Sequence, residues 1–476
     1  MQRRIGGPAL ALTTFVLVTS LANVGAVAEF GLSSIAVLGI AGLVLLLPTV
    51  LIPGELATAW PHLGGVYLWV RLAFGSRLGF LAIWFQWLVH IIIIPSVVVF
   101  VAATAAWVVN PDLASNRVFL TAIILIVVWL SVALNLFGIR ESAILASIGA
   151  LAGVLIPAIA LAALAIAFLA TGGVSAVTPN TGSWLPGFDG LRSIALFAIA
   201  YTGFAGLEIS ANVIEDVERP RNIYRRAISI AAIASLGVMV VMTLAVIVAV
   251  PDADLDLVTA VIQAFKVYLD ALGIGWLLPV VAVVVAAATI GQSLSFMIGP
   301  AEGIKAVADR HGLPTVFSRV NRKGAPFPLL ILQGVIATIV SAVFLLTPSV
   351  SQSFAVVELM AIQLYIITYV LMYVAVIRLR DKFPDVERPR PVPGGKVGLW
   401  LTSIVGVVGA VFVFFLGFVP PAQFDDVNLW VFEGSLIAGI IVGIAVPFSI
   451  RSLRVRPSEA DELEFIEAAM APRRED

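Results

Sequence analysis

Long apolar runs follow one another along almost the whole chain, and they constrain the fold more than any other feature. The hydrocarbon core of a bilayer needs roughly 20 apolar residues per helix, and about twelve runs of that length occur. Because 61% of the residues are hydrophobic and only 12% are charged, the chain has too little polar surface for a water-soluble protein. The sequence therefore predicts an all-α integral membrane protein.

The predicted spans follow the apolar runs. They lie near residues 10–31, 35–54, 80–109, 118–139, 143–170, 191–214, 228–250, 274–300, 327–347, 354–377, 398–420 and 429–450. The first run has the charged start of a signal peptide, but its apolar part is too long, so it is predicted to be a retained helix. Transmembrane β-strands would alternate in polarity, and the runs do not.

Lysine and arginine are distributed unevenly between the two sets of loops, which predicts the orientation of the chain. With a cytoplasmic amino terminus, the inward segments carry 25 of the 28 basic residues, and only Arg117, Arg192 and Lys266 lie outside. Both termini are therefore predicted to be cytoplasmic, which agrees with an even number of spans. Residues 451–476 are predicted to form a short, charged and solvated cytoplasmic tail, and the sequence does not decide whether this tail is helical.

Two of the predicted spans are interrupted by glycines and polar residues. The first contains TSLANVGAVAEFG, residues 19–31, and the sixth contains AYTGFAGLEIS, residues 200–210. These are the first spans of two five-helix halves, 1–170 and 191–380, and because five is odd the second half is inverted. Residues 398–450 add two accessory helices to the single transporter domain. Paired interruptions in inverted halves indicate the binding site of a transporter.

Each interruption offers a defined chemistry. The amino terminus of a half-helix presents N–H groups and a dipole that favour an anion, and freed carbonyls accept from an ammonium group. Together they suit the two charges of an α-amino acid. The alternative is that the glycines only allow close helix packing.

Three longer stretches carry a family resemblance. They are PGELATAWPHLGGVYLWVRLAFG at 53–75, AYTGFAGLEISANVIEDVERPRNIYRRAI at 200–228 and GPAEGIKAVADRHGLPTVFSRVNRKGAP at 299–326. As a set they resemble the amino acid–polyamine–organocation superfamily over nearly the whole chain. The resemblance implies a twelve-helix fold of the five-plus-five inverted type. It also implies exchange or proton-coupled uptake of amino acids at the plasma membrane.

Within that superfamily the chain most resembles the bacterial glutamate:γ-aminobutyrate antiporters, through FPDVERPRPVPGGKVG at 383–398 and GFVPPAQF at 417–424. Two features depart from that subfamily. Val27 or a neighbour stands where the subfamily has a tyrosine in the first interruption, and Glu302 stands where it has an arginine. A reversed charge beside the pathway puts glutamate itself in question as the substrate.

Glu208 is the main candidate for gating or proton coupling. An acid at the centre of a membrane helix costs about 2.5–3.5 kcal/mol on insertion scales, so it needs a reason to be there. The resemblance also places an acid in this motif, and the alternative is a protonated structural acid bonded to broken backbone. Phe296, which matches a gating aromatic, and Glu302 complete the gating candidates.

The predicted substrate-binding residues come from both interruptions and from the resemblance. Polar and aromatic groups beside the interruptions could contact substrate, although the hydroxyls could equally bond freed carbonyls. The resemblance adds the aromatic residue of span 8 and two tyrosines of span 10. The full set is Thr19, Ser20, Asn23, Gly25, Tyr201, Thr202, Gly203, Phe204, Phe296, Tyr365 and Tyr369.

For several other polar residues, a structural role is at least as well supported as a functional one. Glu358 and Glu433 lie near predicted outer ends of spans and are expected to extend to the interface. His90 could titrate near neutral pH but is expected to pack between helices. Ser293 and Ser295 could join a sodium site, although hydroxyls are common in membrane helices.

Two acids lie near the predicted ends of spans. Glu29 is expected at the outer vestibule. Glu55, with Gly64 and Gly65, is expected at the cytoplasmic mouth, where it sets the shape of a loop or an inner gate.

The composition argues against other classes of function. With three histidines, no cysteine and no metal-ligand spacing or phosphate-binding glycine loop, an enzyme would have little to work with. A channel would need polar residues along several helices, and a sensor would usually carry a soluble domain. We therefore expect a secondary amino acid transporter without cofactor or nucleic-acid partner. The substrate, the coupling to exchange, protons or sodium, and a homodimer are left open.

Overall fold

The computed structural model describes residues 5–62, 64–137, 139–177, 184–311, 315–424, 427–452 and 459–470. These segments are helical almost throughout, and an isolated bridge between Ile5 and Val217 is the β-type pairing found in them. Membrane-spanning segments are expected to be helical because lipid cannot hydrogen-bond to free backbone groups.

Within the described segments, ten helices have the length and apolarity of a membrane span. Two shorter helices, Gly7–Val18 and Leu21–Ala28, meet at 40° and form an eleventh. Helix Ile139–Ala170 occupies the place of the predicted fifth span. In chain order, spans 1 to 12 are Gly7–Val18 with Leu21–Ala28, Gly31–Ala59, Ser76–Trp107, Arg117–Leu136, Ile139–Ala170, Leu191–Asp216, Pro220–Ala249, Gly275–Lys305, Phe327–Leu346, Val350–Lys382, Gly395–Leu416 and Leu429–Pro447.

Every predicted span has a helical counterpart, which confirms an all-α membrane fold of about twelve helices. Several helices extend past the apolar run, as span 10 does to Lys382, because polar residues continue a helix into the interface. The repeat boundaries at residues 170 and 191 stay a prediction, since helix order alone does not test them.

Spans 3, 6 and 10 form the centre of the bundle. In the most apolar stretch of spans 3 and 6, 89% of the residues are buried, whereas span 12 buries only 17%. Large apolar side chains such as Ile233 and Trp430 are exposed on the surface of the bundle, as expected for helices that contact lipid. The interrupted span 6 is therefore surrounded by protein.

Both interruptions are real departures from the α-helix. In span 1, Thr19 and Ser20 have extended backbone between the two helices. In span 6, helix Phe197–Thr202 ends before a turn, and a 3₁₀ segment, Leu207–Asp216, follows. Gly206 joins the two with φ at 111°, in the left-handed region that favours glycine.

The described part of the tail, residues 459–470, is only partly solvated, because Phe465 and Ala469 are buried while Leu463, Glu464 and Glu467 are exposed. Residues Glu459–Met470 form a helix, and Phe465 is buried with its ring 3.7 Å from the guanidinium of Arg71. A guanidinium over an aromatic face is an attractive contact. The tail helix therefore docks on helix Gly65–Phe74, which lies between spans 2 and 3.

Both ends of the described chain lie on one face of the bundle. The amide of Ile5 donates to the carbonyl of Asp216 at 2.7 Å, at the end of span 6. A cleft on the same face is lined by Trp60, Lys382 and, from the tail helix, Met470. We refer to it as the terminal face.

Candidate substrate site at the broken helices

The hydroxyl and carbonyl groups at the break of span 1 are mostly bonded within the protein. The Thr19 hydroxyl lies 2.8 Å from the carbonyl oxygen of Phe15, and the Gln292 side chain donates to the Thr19 carbonyl at 3.1 Å. Ser20 is buried, and its hydroxyl is 3.4 Å from the amide oxygen of Asn23. Span 8 therefore closes over the first break.

The two broken helices touch each other through Asn23. Its amide nitrogen donates to the carbonyl of Ile199 at 3.3 Å, and a Cβ added to Gly203 would lie 3.4 Å from the same nitrogen. The polar surfaces of both breaks thus meet at one place, as expected for the two halves of one site.

Gly25 has a packing reason to be glycine. A Cβ at this position would lie 2.1 Å from the carbonyl oxygen of Leu257, in the segment after span 7. No side chain fits into such a gap. The structure therefore gives Gly25 the close-packing role that the sequence left as the alternative.

The residues at the break of span 6 are buried. Thr202 bonds to the carbonyl of Ala198 at 3.0 Å, and the amides of Gly203 and Phe204 still bond to carbonyls of the preceding turn. The hydroxyl of Tyr201 has no hydrogen-bond partner among the described residues. The bonding to the preceding turn thus continues to Ala205, whose amide donates to the carbonyl of Thr202 at 3.0 Å.

Glu208 lies in the first turn after Gly206 and is fully buried. Its Oε1 accepts a hydrogen bond from the Gln86 amide at 3.3 Å and another from the hydroxyl of Tyr365. Its Oε2 has no partner in the described part of the chain. The Tyr369 hydroxyl accepts from the amide of Gly206 at 2.8 Å, so span 10 holds both the carboxyl group and the turn before it.

An aromatic column crosses the centre of the bundle from span 8 to span 10. It consists of Phe296, His90, Tyr365, Tyr369 and Tyr373. The ring centroids of His90 lie 5.5 Å from Phe296 and 5.7 Å from Tyr365. The tyrosines then continue at 4.7 and 5.9 Å along one face of span 10. The column covers Glu208 and brings together four residues that the sequence singled out separately.

Glu358 does not lie where its position in the sequence predicts. Its carboxyl group does not extend to the interface but is fully buried. The Ser96 hydroxyl donates to Oε1 at 2.6 Å and the Asn23 amide to Oε2 at 3.4 Å. The sequence contains a pattern that indicates this burial. Glu358 precedes Tyr365 by seven residues, or two helical turns, so both side chains lie on the same face of span 10.

Three other candidates lie on span 8, the helix that carries Phe296. Glu302 is half-exposed and pairs with Lys305, one turn further along its own helix, at 3.4 Å. Ser293 is buried in span 8, and the side chain of Ser295 falls outside the described residues. Among the described residues, no group of three His, Cys, Asp or Glu side chains could hold a metal ion.

Comparison with known proteins agrees with this architecture. An uncharacterized transporter of Legionella pneumophila is 33% identical over 92% of this chain and 94% of its own length. A glutamate/γ-aminobutyrate antiporter of Lactococcus lactis is 28% identical over 87% and 83%, respectively. A probable agmatine/putrescine antiporter of the same species is 26% identical over 81% of each chain.

The match to a protein family covers nearly all spans. The profile of the amino acid permeases aligns with residues 5–446, from the bridge before span 1 to the end of span 12. With its broken first and sixth spans and about twelve helices, this chain belongs to the amino acid permease family of the amino acid–polyamine–organocation superfamily.

Proposed function

We infer that this protein exchanges amino acids or their amines across the plasma membrane by alternating access, with both termini in the cytoplasm. The observation that carries the proposal is the bonding of span 6 to span 10, through Glu208 to Tyr365 and Gly206 to Tyr369. These bonds join the broken helix to the column that covers it. A substrate can pass only if they separate.

Glu208 is suited to control that separation. A hydrogen bond to an ionised carboxylate is roughly twice as strong as one between neutral groups. The ionised acid therefore holds Tyr365 firmly, and uptake of a proton loosens the bond. In this proposal Glu208 is the latch, and Phe296 and His90 complete the cover at the other end of the aromatic column.

Exchange is favoured over uptake because two of the relatives are named as antiporters. According to their names, one is a glutamate/γ-aminobutyrate antiporter and the other a probable agmatine/putrescine antiporter. A proton-coupled symporter is the second candidate, since the partner-free Oε2 of Glu208 could also carry a proton through the cycle.

The test is uptake into proteoliposomes of a labelled panel of amino acids and amines, with and without the same compounds inside. We expect uptake only into preloaded vesicles. Uptake into empty vesicles that follows an inward proton gradient would favour the symporter. If no compound of the panel enters under either condition, the proposal is wrong.

Variants test the latch. Tyr365→Phe and Glu208→Gln should each lower exchange about tenfold or more, as expected for a buried bond to a charged group. Tyr268→Phe is the matched control, because its buried hydroxyl donates to the Ala245 carbonyl at 2.6 Å instead of to a residue of the latch. Equal exchange by all three variants would rule out the latch.

A further inference from the structure

The proposed latch does not involve Glu358, a second buried acid. Glu358 lies on the same face of span 10 as Tyr365, about 10 Å away along the helix axis, given a rise of 1.5 Å per residue. Like Glu208 it is fully buried. A carboxyl group in this place is expensive unless it is protonated or meets a cation.

The bonds of Glu358 do not neutralise an ionised carboxylate. Its two donors, Ser96 and Asn23, are both neutral. An ionised carboxylate has about four acceptor sites, so two donors leave it half satisfied. The remaining sites can accept an N–H group from a cation.

Among the described residues, no lysine or arginine side chain is buried beside Glu358. In the described part of the chain, the buried side chains with a formal charge are Glu55, Arg71, Glu208 and Glu358. Arg71 stacks on the tail helix at the terminal face, and Glu55 pairs with Arg380. The centre of the described bundle thus contains two acids and no lysine or arginine.

Ser96 lets Glu358 exist in two states. Its oxygen lies 2.6 Å from Oε1 of Glu358 and 2.8 Å from the carbonyl oxygen of Ile93, but a hydroxyl has one hydrogen. With Glu358 ionised, that hydrogen points to the carboxylate. With Glu358 protonated, the acid donates to Ser96, which then donates to Ile93. The surroundings therefore accept an acid that alternates between a proton and another cation.

Asn23 connects this acid to the broken helices. It lies in the turn after the break of span 1, and its amide bonds both Glu358 and the carbonyl of Ile199 in span 6. A substrate lying at the two breaks would have Glu358 within reach of its side chain.

We propose that Glu358 binds a cationic amine or guanidinium group on the substrate's side chain, so that the protein selects diamines and basic amino acids. This inference rests on the proposed exchange function and names its substrate class. When no cation is bound, the carboxyl group holds a proton. An acidic side chain would bring a second negative charge to a site without a basic residue.

Lysine and norleucine are the decisive pair, because they have similar length and only lysine carries the ε-ammonium group. We expect wild-type proteoliposomes to exchange lysine, arginine and 1,5-diaminopentane about tenfold or more faster than norleucine or glutamate. In Glu358→Gln the ratio of lysine exchange to norleucine exchange should fall about tenfold.

Glu433→Gln is the matched control, since Glu433 is a half-buried acid on the peripheral span 12. It should keep the lysine preference of the wild type. An unchanged preference in Glu358→Gln, or a wild type that prefers glutamate or norleucine, overturns the inference and leaves exchange itself standing. Exchange of no compound at all would instead reject the proposed function.

A second measurement does not depend on the variant folding. Ligand that binds only the folded protein raises its melting temperature. Lysine should therefore stabilise the detergent-solubilised wild type, and norleucine at the same concentration should not. Equal stabilisation by both would count against a cation site even if Glu358→Gln does not fold.

Discussion

Gly206 shows how one residue sets the geometry of the site. Its φ of 111° lies where side chains other than glycine are strained, and it turns the chain so that Glu208 follows in the first turn of the next helix. Its amide then donates to Tyr369. The direction of the carboxyl group is thus determined by the backbone two residues earlier.

At the scale of single residues, the surroundings of Glu29 control its charge. It lies in the turn between spans 1 and 2, where the Gln423 amide donates to it at 3.4 Å. The pKa of Glu29 is raised from 4.5 to about 7 as the net result of burial, which raises it most, the bond from Gln423, which lowers it, and the negative charges of Asp252 and Asp256, which raise it. The folded protein therefore binds a proton here more tightly than the unfolded chain does.

This shift predicts a pH-dependent stability. Above pH 7 the folded state must keep Glu29 ionised and partly buried, and this penalty disappears as the pH falls toward 4.5. Glu29→Gln should therefore raise the melting temperature more at pH 8 than at pH 5, by roughly 2 °C. The measurement is thermal unfolding in detergent at both pH values. Asp112→Asn, at an exposed acid, is the control, and equal gains at pH 5 and pH 8 would contradict the prediction.

At the scale of elements, one ion pair joins span 2 to span 10 at the terminal face. Glu55 is buried and receives two bonds from Arg380, at 2.6 and 2.8 Å. Arg388 lies 3.4 Å away, and the amide of Val392 donates to the same carboxylate at 2.6 Å. We call this group the Glu55 clamp, and it fixes the segment after span 10 against span 2.

Breaking the Glu55 clamp should destabilise the protein markedly. Glu55→Gln leaves two arginines without their shared partner, and removing one partner of a buried pair costs about 3–5 kcal/mol. Glu387→Gln is the matched control, because its pair with Arg221 is exposed and such pairs contribute about 0–1 kcal/mol. The check is the melting temperature of both variants in detergent. Similar losses for the two would contradict a special role for the clamp.

At the scale of the whole molecule, the orientation in the membrane is the main open prediction. Span 7 begins beside Ile5 at the terminal face and ends at Ala249, so residue 253 lies on the opposite face from residue 396. The chain has no cysteine, so single cysteines can report the exposure of each face without background labelling.

We expect Ala253→Cys to react with a membrane-impermeant maleimide in intact cells. Lys396→Cys should react only after permeabilisation, because the basic residues predict that the terminal face is cytoplasmic. Labelling of the cysteine-free parent is the background control. The reverse pattern would mean that the whole chain is inverted.

The sequence by itself determined the class of this protein, its number of spans and the places where two spans break. These features are local, since the thickness of the bilayer and the need to bond every backbone group act on each segment separately. The glycines of the AYTGFAGLEIS segment mark the second break in the same local way.

Only the tertiary structure decided which side chains meet. Glu208 bonds Tyr365 across 157 positions, and Asn23 bonds Glu358 across 335. Gly25 packs against the backbone of Leu257. Hydropathy gives no indication that the segment of Leu257 lies beside span 1. Such contacts depend on how each helix is rotated against its neighbours, and an almost uniformly apolar helix carries little pattern to reveal that rotation.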